Sequence, residues 1–340
     1  MLEGGGFIIN FNPKPDEEVA MRGAMGWLGV GMMMVALGCT PQGEPSTSEP
    51  EQPAGLENGS FTAELNGFQI HYEVHGSGPV LMVLTNSWGF NVGGLRGVLG
   101  GLEEGLTMVY FDPRGMGGSG PITQESDMGL AAVRADFDAL RRHLGLDKVN
   151  ALGWSNGAGN LIYLAAEYPE TLDAAIFLHG TASFTEEDMA ELAAAYPEMM
   201  QQWQEYMQMA ADPEVPDENK TAAMRELWLD KWFPVSAADP EAARAMLAEA
   251  FRDAELNWAH AAYANQETPV FDARDKLPLI TARSLVITGT HDTLPVAKAE
   301  ELNAGLADSE LLIFESSGHF SPLEEPERFK SAVFDFLETE

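Results

Sequence analysis

Gly153-Trp154-Ser155-Asn156-Gly157 sets a serine between two glycines, directly after the apolar run 149–152 and directly before a helical pattern that starts near Ala158. Strand, tight turn and helix in that order make a nucleophile elbow. The serine takes a strained backbone conformation with positive φ, and its hydroxyl stands clear of the sheet. The flanking glycines have a steric reason, because a Cβ at 153 or 157 would collide where strand and helix approach closely. The helix N-terminus adds partial positive charge at the same place. A serine hydroxyl becomes a useful nucleophile only when a base takes its proton and an acid orients that base. The chemistry to look for is therefore acyl transfer.

Four histidines follow Ser155: His179, His260, His291 and His319. His319 lies in Ser316-Ser317-Gly318-His319-Phe320, a small-residue loop just after the last apolar strand, from which an imidazole reaches over a sheet's C-terminal edge. The acid belongs on the loop after the preceding strand, where Ile287-Thr288-Gly289-Thr290-His291-Asp292 supplies Asp292. Ser155, Asp292 and His319 then stand in the chain order of serine, acid and histidine that goes with an elbow of this kind. His179 and His260 read as structural residues, and His291 as a loop residue. The oxyanion formed on attack needs two N–H donors. One is the backbone N–H of Asn156; the other comes from the loop after Thr85, with Ser87 the first choice and Trp88 the second.

The elements that must position these residues alternate. Residues 60–65 and 69–75 flank Asn66-Gly67 and read as a hairpin. Apolar runs at 80–85, 107–111, 149–152, 175–178, 284–288 and 310–314 read as buried strands. Helical spacing occupies 127–144, the stretch after 158, 296–306 and 325–337. This alternation predicts an α/β fold with a doubly wound, mostly parallel sheet. Between 183 and 279 the pattern is helical only, punctuated by Pro197, Pro213, Pro216, Pro234 and Pro240, and reads as a lid. Thr185 followed by Glu186, Glu187 and Asp188 caps its first helix. Trp203, Trp228, Trp232 and Trp258, with Met189, Met199, Met200, Met207, Met209 and Met224, supply either a deformable roof over a substrate or ordinary helix packing.

Charge narrows the partners. The 340 residues carry 19 Lys and Arg against 53 Asp and Glu, a net charge of −34, which excludes nucleic acid and anionic lipid surfaces as partners. Cys39 is the single cysteine, so no intrachain disulfide forms. Met21-Arg22 and the uncharged stretch 23–38 read as a signal peptide at 21–38. Residues 1–20, acidic at Glu3, Asp16, Glu17 and Glu18, suit no signal peptide, which puts the start of translation at Met21. Ala36-Leu37-Gly38-Cys39 resembles a bacterial lipobox, making Cys39 the lipidation site and 39–59, rich in Pro, Ser, Glu and Gly, a flexible tether. A lipid on Cys39 would be the chain's only membrane contact. Thr40 lacks the character of an inner-membrane retention signal, and the expected location is the outer membrane of the cell envelope.

Residues 60–340 resemble an α/β-hydrolase. DPRGMGGSG at 112–120, the elbow, GTHD at 289–292 and SGHF at 317–320 fall in that superfamily's order and look like its proline iminopeptidase-like branch. The resemblance implies an eight-stranded, mostly parallel sheet with core segments 60–182 and 280–340. It also implies a helical cap at 183–279, between strands six and seven. The expected reaction is hydrolysis of esters, amides or N-terminal prolyl peptides, with no metal or organic cofactor. Aminopeptidases of this branch carry His-Gly-Gly-Pro-Gly where this chain has Thr85-Asn86-Ser87-Trp88-Gly89, and Gly-Gly-Ser-Trp-Gly at the elbow, so their specificity does not carry over. An aminopeptidase would need lid carboxylates such as Glu186, Glu187, Glu191 or Glu205 to bind the substrate's ammonium group, whereas an esterase needs only the apolar roof. The sequence leaves both open. A non-catalytic binding protein of the same fold would be marked by a broken triad, and all three members stand here.

Overall fold

A computed structural model describes residues 56–85, 88–267 and 270–338. The expected signal peptide, Cys39, most of the tether and Ser87 lie outside the described residues.

β1 (Gly59–Leu65) and β2 (Phe68–Gly76) form the expected hairpin, with Asn66 at φ 51° and Gly67 at φ 82°, the left-handed pair that a tight two-residue turn demands. Gly59, expected as the last residue before the first strand, is already in β1, and Leu56 to Asn58 precede it. β3 (Val80–Leu84), α1 (Val92–Leu99) and β4 (Thr107–Phe111) follow. α2 (Leu130–His143) starts later than the expected 127, because Gly129 breaks it from a 3-10 turn at Glu125–Met128. Next come β5 (Val149–Trp154), α3 (Asn156–Glu167) and β6 (Leu172–Leu178).

After β6 the chain leaves the sheet. β7 (Ser183–Phe184) pairs antiparallel with β8 (Phe271–Asp272), a two-rung ladder that closes the base of the excursion. Between them run α4 (Glu186–Ala195), α5 (Pro197–Ala210), α6 (Asp217–Glu226), a π-helical turn at Leu227–Trp232, α7 (Phe233–Val235), α8 (Pro240–Ala250) and α9 (Trp258–Glu267). Thr185 caps α4 in a reciprocal pair with Asp188, as its sequence suggests. β9 (Arg283–Gly289), α10 (Val296–Gly305), β10 (Ser309–Phe314), α11 (Ser321–Glu324) and α12 (Pro326–Glu338) complete the chain.

The eight-stranded sheet has the order β1-β2-β4-β3-β5-β6-β9-β10, parallel from β4 through to β10 and antiparallel only at the β1-β2 hairpin and its junction with β4. Side chains alternate across it. Leu81 and Val83 join one core with Phe329 and Val333 of α12, while Met82 and Leu84 join the other with Phe137 of α2 and Leu161 of α3. Helices thus cover both faces, which is why the parallel strands read as continuous apolar runs. The order of connections reverses where β3 lies between β4 and β5, and crevices at the C-terminal ends of strands open at such a point.

Candidate active site

Ser155 follows β5 and has φ 56° and ψ −121° before α3 begins at Asn156. Its backbone N–H donates to Leu178 O at 2.8 Å, tying the strained turn to β6. A Cβ built on Gly153 would sit 2.4 Å from the carbonyl oxygen of Gly157, so strand and helix meet too closely for any side chain there. For Gly153, that steric reason is the one read from the sequence.

The loops after β9 and β10 bring Asp292 to His319. His319 Nδ1 lies 2.7 Å from Asp292 Oδ2, with the carboxylate wholly buried and the imidazole slightly exposed. The other oxygen, Oδ1, accepts from the Leu294 N–H at 3.0 Å. Burial pushes the Asp292 carboxyl up, but the neighbouring charge of His319 and the imidazole hydrogen bonds outweigh it and hold it well below the usual carboxylate range. The acid therefore stays ionised beside the histidine.

Cap residues hold this loop. His319 N–H donates to Ser236 O at 2.6 Å, Ser236 Oγ lies 3.0 Å from Thr293 Oγ1, and Ala238 N–H donates to Glu324 Oε1 at 2.7 Å. Glu324 Oε2 in turn accepts from the N–H groups of Gly318 and Phe320. Trp154 Nε1 donates to His319 O at 3.2 Å from the side of the elbow.

Ser155 and His319 line one cavity of about 290 Å³. Its walls include Trp88, Trp154, Trp203, Trp228 and Trp232, with Met189, Met199 and Met200 from the excursion. Asn156 also lines it, at the start of α3. Of the two expected loop donors, Trp88 lines the cavity and packs its ring 5.9 Å from Trp228. No Asp, Glu, Lys or Arg is among the described residues of the lining. Met224 is fully buried in packing, and Trp258 sits under the ammonium of Lys220 at 4.2 Å, away from the cavity. Six of the ten lid residues singled out in the sequence thus face the chamber: Trp203, Trp228, Trp232, Met189, Met199 and Met200. The π-helical turn, which no local pattern announces, carries two of them.

Asp112 and Arg114 brace loops instead of lining the site. Asp112 accepts from the N–H groups of Val92 and Gly118 and pairs with His71 Nδ1 at 2.7 Å; Arg114 makes a two-pronged pair with Asp136 at 2.7 and 2.8 Å. His260 is buried in α9 with no aligned partner for either ring nitrogen, and His291 is exposed. His179, expected as a structural residue, is buried against the acid of the site. Its Nδ1 lies 3.1 Å from Asp292 Oδ2, in contact with the same oxygen that His319 uses. Nothing in its local sequence marks this, since the contact joins the ends of β6 and β9.

An alpha/beta hydrolase fold family model matches residues 81–326. The chain is 24% identical over 283 residues to the 2-hydroxy-6-oxo-6-phenylhexa-2,4-dienoate hydrolase of Comamonas testosteroni, covering 81% of this chain and 93% of that protein. Among solved structures, an alpha/beta fold family hydrolase from Bacillus anthracis str. Sterne superposes with a TM-score of 0.66 at 21% identity, covering 83% of this chain and 99% of its own. A proline iminopeptidase from Mycobacterium smegmatis superposes at 0.60 with 19% identity, covering 82% and 97%. Those two likenesses concern the fold. With most of the sheet and the whole excursion inside the matched region, this chain belongs to the alpha/beta hydrolase fold family and is a hydrolase.

Proposed function

We propose that the chain is a serine hydrolase of small, neutral carboxylic esters, working through Ser155, His319 and Asp292. The observation that carries this reading is the cavity: serine and histidine open into a chamber of tryptophan, phenylalanine and methionine whose described lining bears no Asp, Glu, Lys or Arg. Ser155 Oγ attacks the ester carbonyl as His319 Nε2 takes its proton, and Asp292, ionised, holds the Nδ1 proton and steadies the imidazolium. The backbone N–H of Asn156 and an N–H from Ser87 or Trp88 receive the oxyanion. The alcohol leaves with the proton from His319. Water then releases the acid by the same steps in reverse.

A peptidase that captures a free N-terminus needs a carboxylate beside the ammonium group. Glu186, Glu187, Glu191 and Glu205 are all exposed, and none lines the cavity. This favours esters over prolyl peptides. The dienoate in the name of the Comamonas relative carries a carboxylate, whose burial would need a cation or several donors; the uncharged lining favours a neutral substrate in this chain.

The test is turnover of p-nitrophenyl esters from acetate to octanoate and of p-nitrophenyl benzoate, beside proline and alanine arylamides. Ester turnover with little or no arylamide cleavage is expected. Preference for the prolyl amide would replace this reading with an iminopeptidase.

Upstream, residues 21–38 act as an export signal and Cys39 as the lipid attachment point, a proposal supported by Arg22, the uncharged stretch behind it and the Ala36-Leu37-Gly38-Cys39 sequence. Fractionation of cells checks it: the native chain goes to the outer membrane, and Cys39→Ser is released from it. Equal distribution of the two would remove the anchor.

A further inference from the structure

Only Asn66, Ser155 and His179 among the described non-glycine residues have positive φ. Asn66 is explained by its turn and Ser155 by the elbow. His179, at φ 49°, is a bulky residue in a conformation that costs on the order of 1 kcal/mol, and such strain persists only where the surroundings impose it. Its backbone N–H is held by Ile287 O at 2.8 Å, and its side chain is fully buried.

Both ring nitrogens point at the catalytic loops. Nε2 lies 2.8 Å from Ser321 Oγ and 3.4 Å from the Ser321 N–H, two residues beyond His319. A backbone N–H can only donate, so Nε2 is an acceptor and the ring proton sits on Nδ1. Nδ1 lies 3.1 Å from Asp292 Oδ2, off the ideal hydrogen-bond line, and Asp292 is its polar neighbour. The ring of His319 stands 5.2 Å away, centroid to centroid. Asp292 and His319 are the titratable groups that face His179.

We propose that His179 is a positioning residue: a neutral imidazole that offers its Nδ1 proton to Asp292, accepts at Nε2 from Ser321, and so keeps the acid and base loops in register. It also takes a share of the oxygen that faces His319. This rests on the reading of Ser155, Asp292 and His319 given above. Burial pushes the His179 imidazole down, in keeping with a ring that stays uncharged beside an ionised acid.

Two measurements on the full chain test the proposal. The first needs no substrate: nitrogen-15 histidine NMR of the native protein from pH 5 to 8. A neutral His179 with its proton on Nδ1 throughout is expected. An Nε2–H tautomer, or an imidazolium in that range, overturns the proposal whether or not the enzyme reading survives, because the readout is independent of activity. The second is kinetic. His179→Phe fills the space but removes both polar ends; kcat should fall roughly 10- to 100-fold with KM within about twofold. His179→Asn carries an amide N–H where Nδ1 stood and tolerates positive φ, so it should recover part of the kcat lost in His179→Phe although the Ser321 link is gone. A folded His179→Phe with native kcat overturns the proposal. If that variant does not fold, the tautomer measurement decides alone.

Discussion

The indole N–H of Trp154 donates to the main-chain carbonyl of His319 at 3.2 Å, and the two rings lie 5.7 Å apart. The residue beside the elbow serine therefore fastens the loop that bears the histidine. Trp154→Phe keeps an aromatic ring and removes the donor. Stability should drop by about 1 kcal/mol, the usual worth of one hydrogen bond. Ester kinetics should show kcat lowered about 3- to 10-fold, with KM nearly unchanged, since the loop loses placement more than the cavity loses surface.

Gly153→Ala tests the close approach at the elbow. The added methyl would lie 2.4 Å from Gly157 O and 2.7 Å from Ala158 N, both main-chain atoms at the start of α3. Relief requires moving the helix that follows Ser155. A loss of about 3 kcal/mol in urea unfolding is expected, at the upper end for overpacking, along with loss of ester turnover. Native stability in this variant would mean that the turn has slack.

Trp232 stacks on Trp203 at 5.1 Å and 14° and forms part of the roof. Trp232→Ala should raise KM for p-nitrophenyl benzoate about fivefold, corresponding to one aromatic contact, and leave kcat within about twofold. Acetate, too small to reach the roof, should be unaffected. Equal effects on both esters would point to a general loosening of the excursion.

Acid stability has a defined sign. Burial pushes His260 down to about 4, against a smaller opposing pull from the backbone at Arg114. Between about pH 4 and 6.5 the unfolded chain binds a proton there that the folded chain does not, so stability rises with pH across this window and is fully present above it. From pH 7.5 to 5 the cost at this one site is about 2 kcal/mol. His71 acts in the opposite direction, since its hydrogen bond to Asp112 raises it despite burial. The clean comparison is therefore with His260→Leu. That variant should lose about 2 kcal/mol less than the native chain over the same interval in urea titrations, and an identical loss would refute the assignment.

Much of the frame is legible in the sequence because its signals are local. The Asn66-Gly67 turn, the apolar strand runs and the glycine-serine-glycine spacing each act within a few residues. The proximity of Asp292 and His319 is legible too, since successive parallel strands end at the same edge and chain order then decides which loops meet. His179 is a different case: its meaning depends on β6 lying beside β9, a pairing across about 100 residues that no local pattern encodes. The orientation of Glu186, Glu187, Glu191 and Glu205 is likewise hidden. It depends on how short helices are rotated over the sheet, and α4 buries no residue that would fix its phase from sequence. The π-helical turn that brings Trp228 and Trp232 to the chamber shifts the helical register by its own geometry, which a regular 3.6-residue period cannot anticipate.

The most direct measurement is ester turnover by Ser155→Ala beside the native chain, with retained fold shown by circular dichroism and a fluorophosphonate probe applied to both. The account predicts that kcat/KM falls by about three orders of magnitude or more and that the probe labels the native protein only, at Ser155. Undiminished turnover in the variant, or a folded native protein that the probe does not label, would contradict it.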